Sequence, residues 1–471
     1  MLNPLDPQNR PLFEGIQGNI LKAHGRHHTA NLFILGYAGQ VPEAKAWLKS
    51  LVTGKEAIVH SGYEQLRNNI LFKESKGQVD TGLFACVHIS AAGYEYLFGT
   101  GAKNRFSDNS FQQGMKKAQL NDPGPSEWEI GHQADNHFML LLAHANPDAL
   151  TEAIERVGES IRDFGRITTL ERGEALFNAE GAGIEHFGYV DGVSQPLFFT
   201  DELDAYKAAN NIKAAADFKF NPSAEKELVL VKDPFADQTN ASAFGSYFVF
   251  RKLEQDVKGF KLAESALADL LGLTNEARER AGAMLVGRFE DGTPIEMSDR
   301  EGMIHGAVWN NFDYTKSENS KCPFHGHTRK TNPRSDVPGG VSQAKTHMMA
   351  RRGIPFGTRT DDPSDGQIYN KPEKGVGLLF MSYQASIENQ FEFIQKSWAN
   401  NSKFPNFDPQ KLDGLDPIIG QGLPRVEGTY ATKYGDLSTL KSAAFGQFVH
   451  MKGGEYFFAP SMNFLENVDR L

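Results

Sequence analysis

Only two cysteines occur in the chain, Cys86 and Cys322, too few for a disulfide framework and in keeping with a reducing compartment. It has no run of about 18 apolar residues, so no membrane-spanning helix is expected. The first residues, MLNPLDPQNRPLFEG, lack a basic-then-apolar leader and a twin arginine, which predicts a cytoplasmic protein. Basic residues are outnumbered, 49 Lys and Arg against 59 Asp and Glu. The resulting net charge of −10 argues against nucleic acid as a partner. Low-complexity tracts and a clean internal repeat are missing as well.

Apolar residues, by contrast, are plentiful. With 34 Phe and a hydrophobic fraction of 40%, 471 residues can fill more than one ordinary core, which suggests two domains. Apolar runs predict strands at 31–37, 83–89 and 138–143, with helical spacing at 41–52, 91–98 and 149–164. The pattern returns loosely in the second half. There, strands are predicted at 244–250 and 377–383, and helices at 262–271, 275–285 and 387–398. A closing hairpin (447–451 with 455–458) is expected around Gly453 and Gly454. This order predicts an α+β fold of two ferredoxin-like domains, a duplicated antiparallel sheet with peripheral helices of the dimeric α+β barrel type. The polar, alanine-rich stretch 200–224 is the expected boundary, giving domains at 1–215 and 216–471.

Two stretches carry residues suited to chemistry. Residues 321–357 read KCPFHGHTRKTNPRSDVPGGVSQAKTHMMARRGIPFG and hold Cys322, His325, His327, His347, Arg351 and Arg352, with His305 just upstream. Its four prolines and scattered glycines exclude one long helix, and loops dense in such side chains often bind or catalyse. A solvated surface loop could share this composition. Residues 187–196, FGYVDGVSQP, set Asp191 between Gly188 and Gly192, where the backbone can turn tightly against a flat ligand. An aspartate capping its own turn would look the same.

These stretches resemble signatures of the dye-decolourising peroxidases. GYVDG matches the family's Gly-x-x-Asp-Gly motif, while GHTRKTNPR and RRGIPFG are similar to two further signatures of its long, fungal-like and cyanobacterial-like branch. IQGNIL, FGSYFVFRKLEQ, MLVGRFEDGTPIE and GLLFMSYQASIENQFEFIQ also look like family blocks, in the expected order over about residues 16–398. The resemblance implies one haem b per chain, hydrogen peroxide as oxidant, and phenols and bulky aromatic dyes oxidised through high-valent iron-oxo intermediates. It implies His327 as the axial iron ligand, with His325 and Cys322 as local alternatives, and Asp191 as the distal acid and base. Arg351 would stabilise charge on the peroxide, with Arg352 as the alternative. Gly192, Ser194 and Gln195 would touch the haem, Arg334 or Arg329 would pair with a propionate, and Leu378 and Phe380 would line the peroxide side. Glu392 lies in a block suited to the acid behind the histidine. His24, His27, His28, His305 and His347 read as ordinary polar residues.

A haem carrier or an iron-releasing protein could share the fold and His327. It would not need Asp191 and Arg351, so their presence favours peroxide chemistry. An aspartate titrates near 3.9 where a histidine titrates near 6.5. Dye oxidation is therefore expected to be fastest at about pH 4 to 5.

Overall fold

The computed structural model describes residues 1–471 except 56, 303–308, 316, 364, 406–412 and 423–424. His305 lies outside the described residues. The first unit runs β1 (His28–Gly36), a helix Val41–Ser50, β2 (Phe84–Ser90), β3 (Phe138–His144), a helix Pro147–Ile161 and β4 (Gly165–Glu174). The second runs β5 (Phe244–Gln255), helices Val257–Leu271 and Glu279–Val286, β6 (Ile354–Phe356), β7 (Gly377–Gln384), π-helical turns over Ile387–Ala399 and β8 (Val449–Ala459).

All eight strands join one antiparallel sheet in the order β6-β7-β5-β8-β2-β3-β1-β4. Within each unit the chain order of strands across the sheet is 4-1-3-2, the ferredoxin-like arrangement. The fold is thus α+β with two ferredoxin-like units. They meet where β8 pairs with β2, at Phe457 opposite Ser90 and Phe458 opposite Ile89. The two outer strands also approach each other. A Cβ added to Gly173 of β4 would lie 2.4 Å from Ile354 Cγ2 of β6, so the sheet curls almost onto itself.

Strand alternation then sorts the apolar residues into two cores. Phe33, Phe84, Met139, Leu141, Phe248, Phe250, Met381 and Phe457 fill the inside of the curled sheet. Leu32, Ile34, Val87, Leu140, Leu142 and Val249 face outward against the helices. The helix Pro147–Ile161 buries Leu150, Ile154, Val157 and Ile161 on that outer layer.

Two expectations change. The hairpin at Gly453 and Gly454 is instead one continuous strand, β8, with a bulge between Met451 and Gly453. The glycines serve close approach, because a Cβ on Gly453 would lie 2.3 Å from the His132 ring carbon Cγ. The strand β4, RITTLERGE at its core, escapes the apolar-run reading because as an outer strand it alternates polar residues. The expected boundary at 215/216 falls in the segment 175–243 between the two units, which carries the FGYVDGVSQP loop.

Candidate active site

The segment between the units and the second unit together enclose a cavity of about 270 Å³. His327, Asp191 and Arg351 all line it, with Gly192, Ser194, Gln195, Arg334, Leu378 and Phe380. His327 opens a five-residue helix, His327–Thr331. Its Nδ1 lies 2.9 Å from Asp416 Oδ2, and Asp416 is fully buried. The other oxygen of Asp416 accepts from the backbone N–H groups of Ile418 (2.8 Å) and Ile419 (3.0 Å). Burial acts to lower the His327 pKa, but the Asp416 charge outweighs it and holds the imidazole above its ordinary value. With Nδ1–H donated to the carboxylate, Nε2 is the nitrogen left for a ligand.

The Asp191 loop turns where sequence expects it to. Gly188 and Gly192 have φ of 102° and 78°, a region open to glycine at little cost. Asp191 Oδ1 accepts from Gly192 N (2.6 Å) and from Arg351 Nη1 (3.2 Å). The arginine sits in a two-residue strand, Ala350–Arg351, paired with β7. Gln195 grips the backbone of Arg351 on both sides, accepting from its N–H (3.1 Å) and donating to its carbonyl (3.2 Å). Just past that strand the backbone N–H of Arg352 still donates to Met381 O (2.6 Å), and its side chain turns from the cavity lining to the carbonyls of Asn19 (2.7 Å) and Ile20 (2.9 Å).

Residues 209–408 match the family model described as Dyp-type peroxidase, C-terminal. The chain is 44% identical over 466 residues to the multifunctional dye peroxidase DyP2 of Amycolatopsis sp., covering 97% of this chain and 96% of that one. This chain belongs to the Dyp-type peroxidases. It is 30% identical to the dye-decolorizing peroxidase msp1 of Mycetinis scorodonius over 81% of this chain and 75% of that one. The solved structure of the Amycolatopsis DyP2 matches with a TM-score of 0.90 at 42% identity, over 98% of this chain and 97% of that one. That of the Anabaena sp. DyP-type peroxidase matches at 0.89 with 35% identity, over 99% and 97%. The protein is accordingly a peroxidase of the dye-decolourising kind. Among the described residues, no helix is long and apolar enough to cross a membrane.

In the wall of this peroxidase's cavity, two buried guanidinium groups converge on Asn310. Arg334 Nη2 and Arg288 Nη2 donate to Asn310 Oδ1 at 2.5 and 2.9 Å, and Ser194 Oγ donates to it at 2.8 Å. Arg334 also donates to the carbonyls of Asn310 and Phe312 and to Ser194 Oγ (3.5 Å), and Arg288 to the carbonyls of Gly292 and Trp309. Among the described residues, neither forms an ion pair with a carboxylate. Burial, helped by the charge of Arg334, pushes the Arg288 pKa down to about 9. Arg334 also holds a left-handed backbone, φ 52°, at a site where strain of this kind tends to collect. Two cations without a carboxylate partner, in one cavity with a histidine that has a free nitrogen, suit a flat, metal-bearing ligand carrying two acid groups.

The other expected residues divide. Arg329 turns from the cavity to Asp336, 2.5 Å away, and to the carbonyl of Cys322. It is outside the cavity lining and so, unlike Arg334, is not placed to meet a propionate there. His325 is buried edge-on against Tyr430, outside the cavity lining. Cys322 is also buried elsewhere, and burial pushes its thiol up to about 12. Glu392 accepts from Tyr456 (2.9 Å) and pairs with Lys396 (2.6 Å), so the acid behind His327 is Asp416. Sequence reasoning missed Asp416 and Arg288. Arg288 lies within the MLVGRFEDGTPIE block, whereas Asp416, in DGLDPIIG, has no signal beyond an acid set in an apolar turn.

Proposed function

We propose that the chain binds haem b, one per chain, and reduces hydrogen peroxide while oxidising phenols and aromatic dyes. The observation that carries this reading is that His327, Asp191 and Arg351 line a single cavity together with Arg288 and Arg334. In it, His327 Nε2 would hold the iron, and the Asp416 contact orients the ring and raises its basicity. Arg334 and Arg288 would hold the two propionates, whose negative charges are the counter-charges that these guanidinium groups lack. Ser194 and Gly192 line the same pocket edge, and Leu378 and Phe380 form its apolar wall.

When bound, the haem iron supplies the two-electron redox change that cleaves the peroxide and later accepts electrons from the donor. The protein's own work is proton handling and charge. Asp191 takes a proton from one peroxide oxygen and delivers it to the other, which departs as water. Arg351, permanently charged and 3.2 Å from Asp191, meets the negative charge that builds on that departing oxygen. Two electrons from aromatic donors and two further protons complete the second water. Side-chain exposures of 42% for Asp191 and 30% for Arg351 leave this end of the cavity open to peroxide.

The test is the visible spectrum and haem content of His327→Ala beside His325→Ala. The first should lose haem or show a different ligand field, and the second should keep the wild-type Soret band. The reverse result, or a wild-type protein that takes up no haem, would refute the assignment.

A further inference from the structure

Glu185 lies on the cavity wall, six residues before Asp191, and the chemistry above leaves it without a task. Its carboxylate is folded into the loop that follows it. Oε2 accepts from the backbone N–H of Phe187 at 2.8 Å, and Oε1 accepts from that of Tyr189 at 3.1 Å. A third donor arrives from the second unit, the Nε2 of Gln255 at the end of β5. The backbone of Glu185 joins in, its carbonyl accepting from Gly188 N (2.9 Å) and its N–H donating to Tyr189 O (3.3 Å). Asp191 follows two residues after Tyr189 and donates its own N–H to Gly183 O at 3.0 Å.

A carboxylate in such a place is expensive. Burial pushes Glu185 up to about 7, with the Asp191 charge adding to the effect. A neutral side chain of similar shape would avoid that cost. What it could not do is accept from three N–H groups at once, since an amide has one acceptor oxygen and turns two N–H groups of its own toward those donors. The loop's amides point inward, and left without an acceptor each would cost its full desolvation. Glu185 is thus the acceptor around which the Asp191 loop closes, and Gln255 ties that centre to β5.

We propose that Glu185 is the positioning residue for Asp191, fixing the loop that carries the base relative to Arg351 and His327 on the second unit. The inference rests on the reading of Asp191 as the acid and base. Misplacing a reacting group by about 1 Å costs on the order of 10²-fold in rate, the size of effect expected here.

The experiment is a double-mutant cycle on the haem-loaded protein at about pH 8, where Glu185 is ionised, with Glu185→Gln, Asp191→Asn and the double variant. It reads the stopped-flow rate of the peroxide-induced Soret change, the KM for a dye, haem content and the thermal midpoint. Glu185→Gln should slow the peroxide step about 10²-fold with haem content and dye KM unchanged. In the Asp191→Asn background the same change should add little, because its route to the chemistry is already gone. Equal slowing in both backgrounds would overturn the proposal, since Glu185 would then act directly or through the fold at large. No slowing in the Asp191 background of the natural chain would overturn it too. If Asp191→Asn alone reacts as fast as wild type, the acid–base reading itself fails and takes this inference with it. Should Glu185→Gln fail to fold, Gln255→Leu removes the tie from the other side. It should give a smaller slowing with the same dependence on Asp191, and an equal slowing in both backgrounds would again overturn the proposal.

Discussion

At the scale of single residues, adjacent side chains of the same type have separate duties. Arg351 reaches Asp191 in the cavity, while Arg352 holds the N-terminal segment through Asn19 and Ile20. Leucine at 351 should slow peroxide cleavage by roughly 10²–10³-fold, as losing one donor to a developing oxyanion does. Leucine at 352 should leave that rate nearly unchanged and lower the thermal midpoint, because two buried carbonyls lose their donor. Stopped-flow rates and melting curves of the two variants check the pair, and the reverse order would move the assignment by one residue. Sequence alone left the two arginines one position apart. Only the way the chain packs at Ala350–Arg351 and just past it separates them.

Among the elements, legibility follows burial. Strands enclosed on both faces, such as β2, β3 and β7, read directly as apolar runs. The outer strand β4 and the hairpin Gly428–Lys433 with Asp436–Ala443, whose second strand is largely exposed, carry polar residues among the apolar ones and were not legible. The three central site residues were legible because each sits in a short motif where glycine or proline marks the backbone. Asp416 and Arg288 also stand beside such residues, Pro417 and Gly287, but nothing in their segments marks the acid or the cation as a site group, and only tertiary packing brings them there. Gly453 was misread for a related reason, since a glycine that turns the chain and one that admits a neighbour look alike in sequence. The difference is measurable. His132 is fixed by Glu171 (3.0 Å) and by the Phe33 and Phe250 rings, so it cannot yield to a methyl group at 453. Gly453→Ala should therefore cost about 1–3 kcal/mol, read as a lower urea midpoint at unchanged slope.

For the whole molecule, acid is both the expected working condition and a threat. His88 and His325 are buried, and burial pushes each imidazole down to about 3. Unfolded histidines titrate near 6.5, so below that pH the unfolded chain binds protons that the folded chain refuses. Their contribution to stability is whole above about pH 6.5 and declines steadily toward pH 3. The thermal midpoint should fall over that window, and replacing His88 with Phe should flatten the decline, as scans from pH 7 to pH 4 would reveal. Dye turnover at pH 4 to 5 would then be limited by lifetime as well as by rate. The pair Arg288 and Arg334 has a further consequence, for assembly. A chain that folds without its ligand must enclose two like charges around Asn310 with no anion between them. The ligand is then less a passenger than a missing piece of the interior, and its acid groups matter to folding whether or not it carries a metal. Protoporphyrin without iron should raise the melting temperature of the ligand-free chain, and its dimethyl ester, uncharged at those two positions, should not.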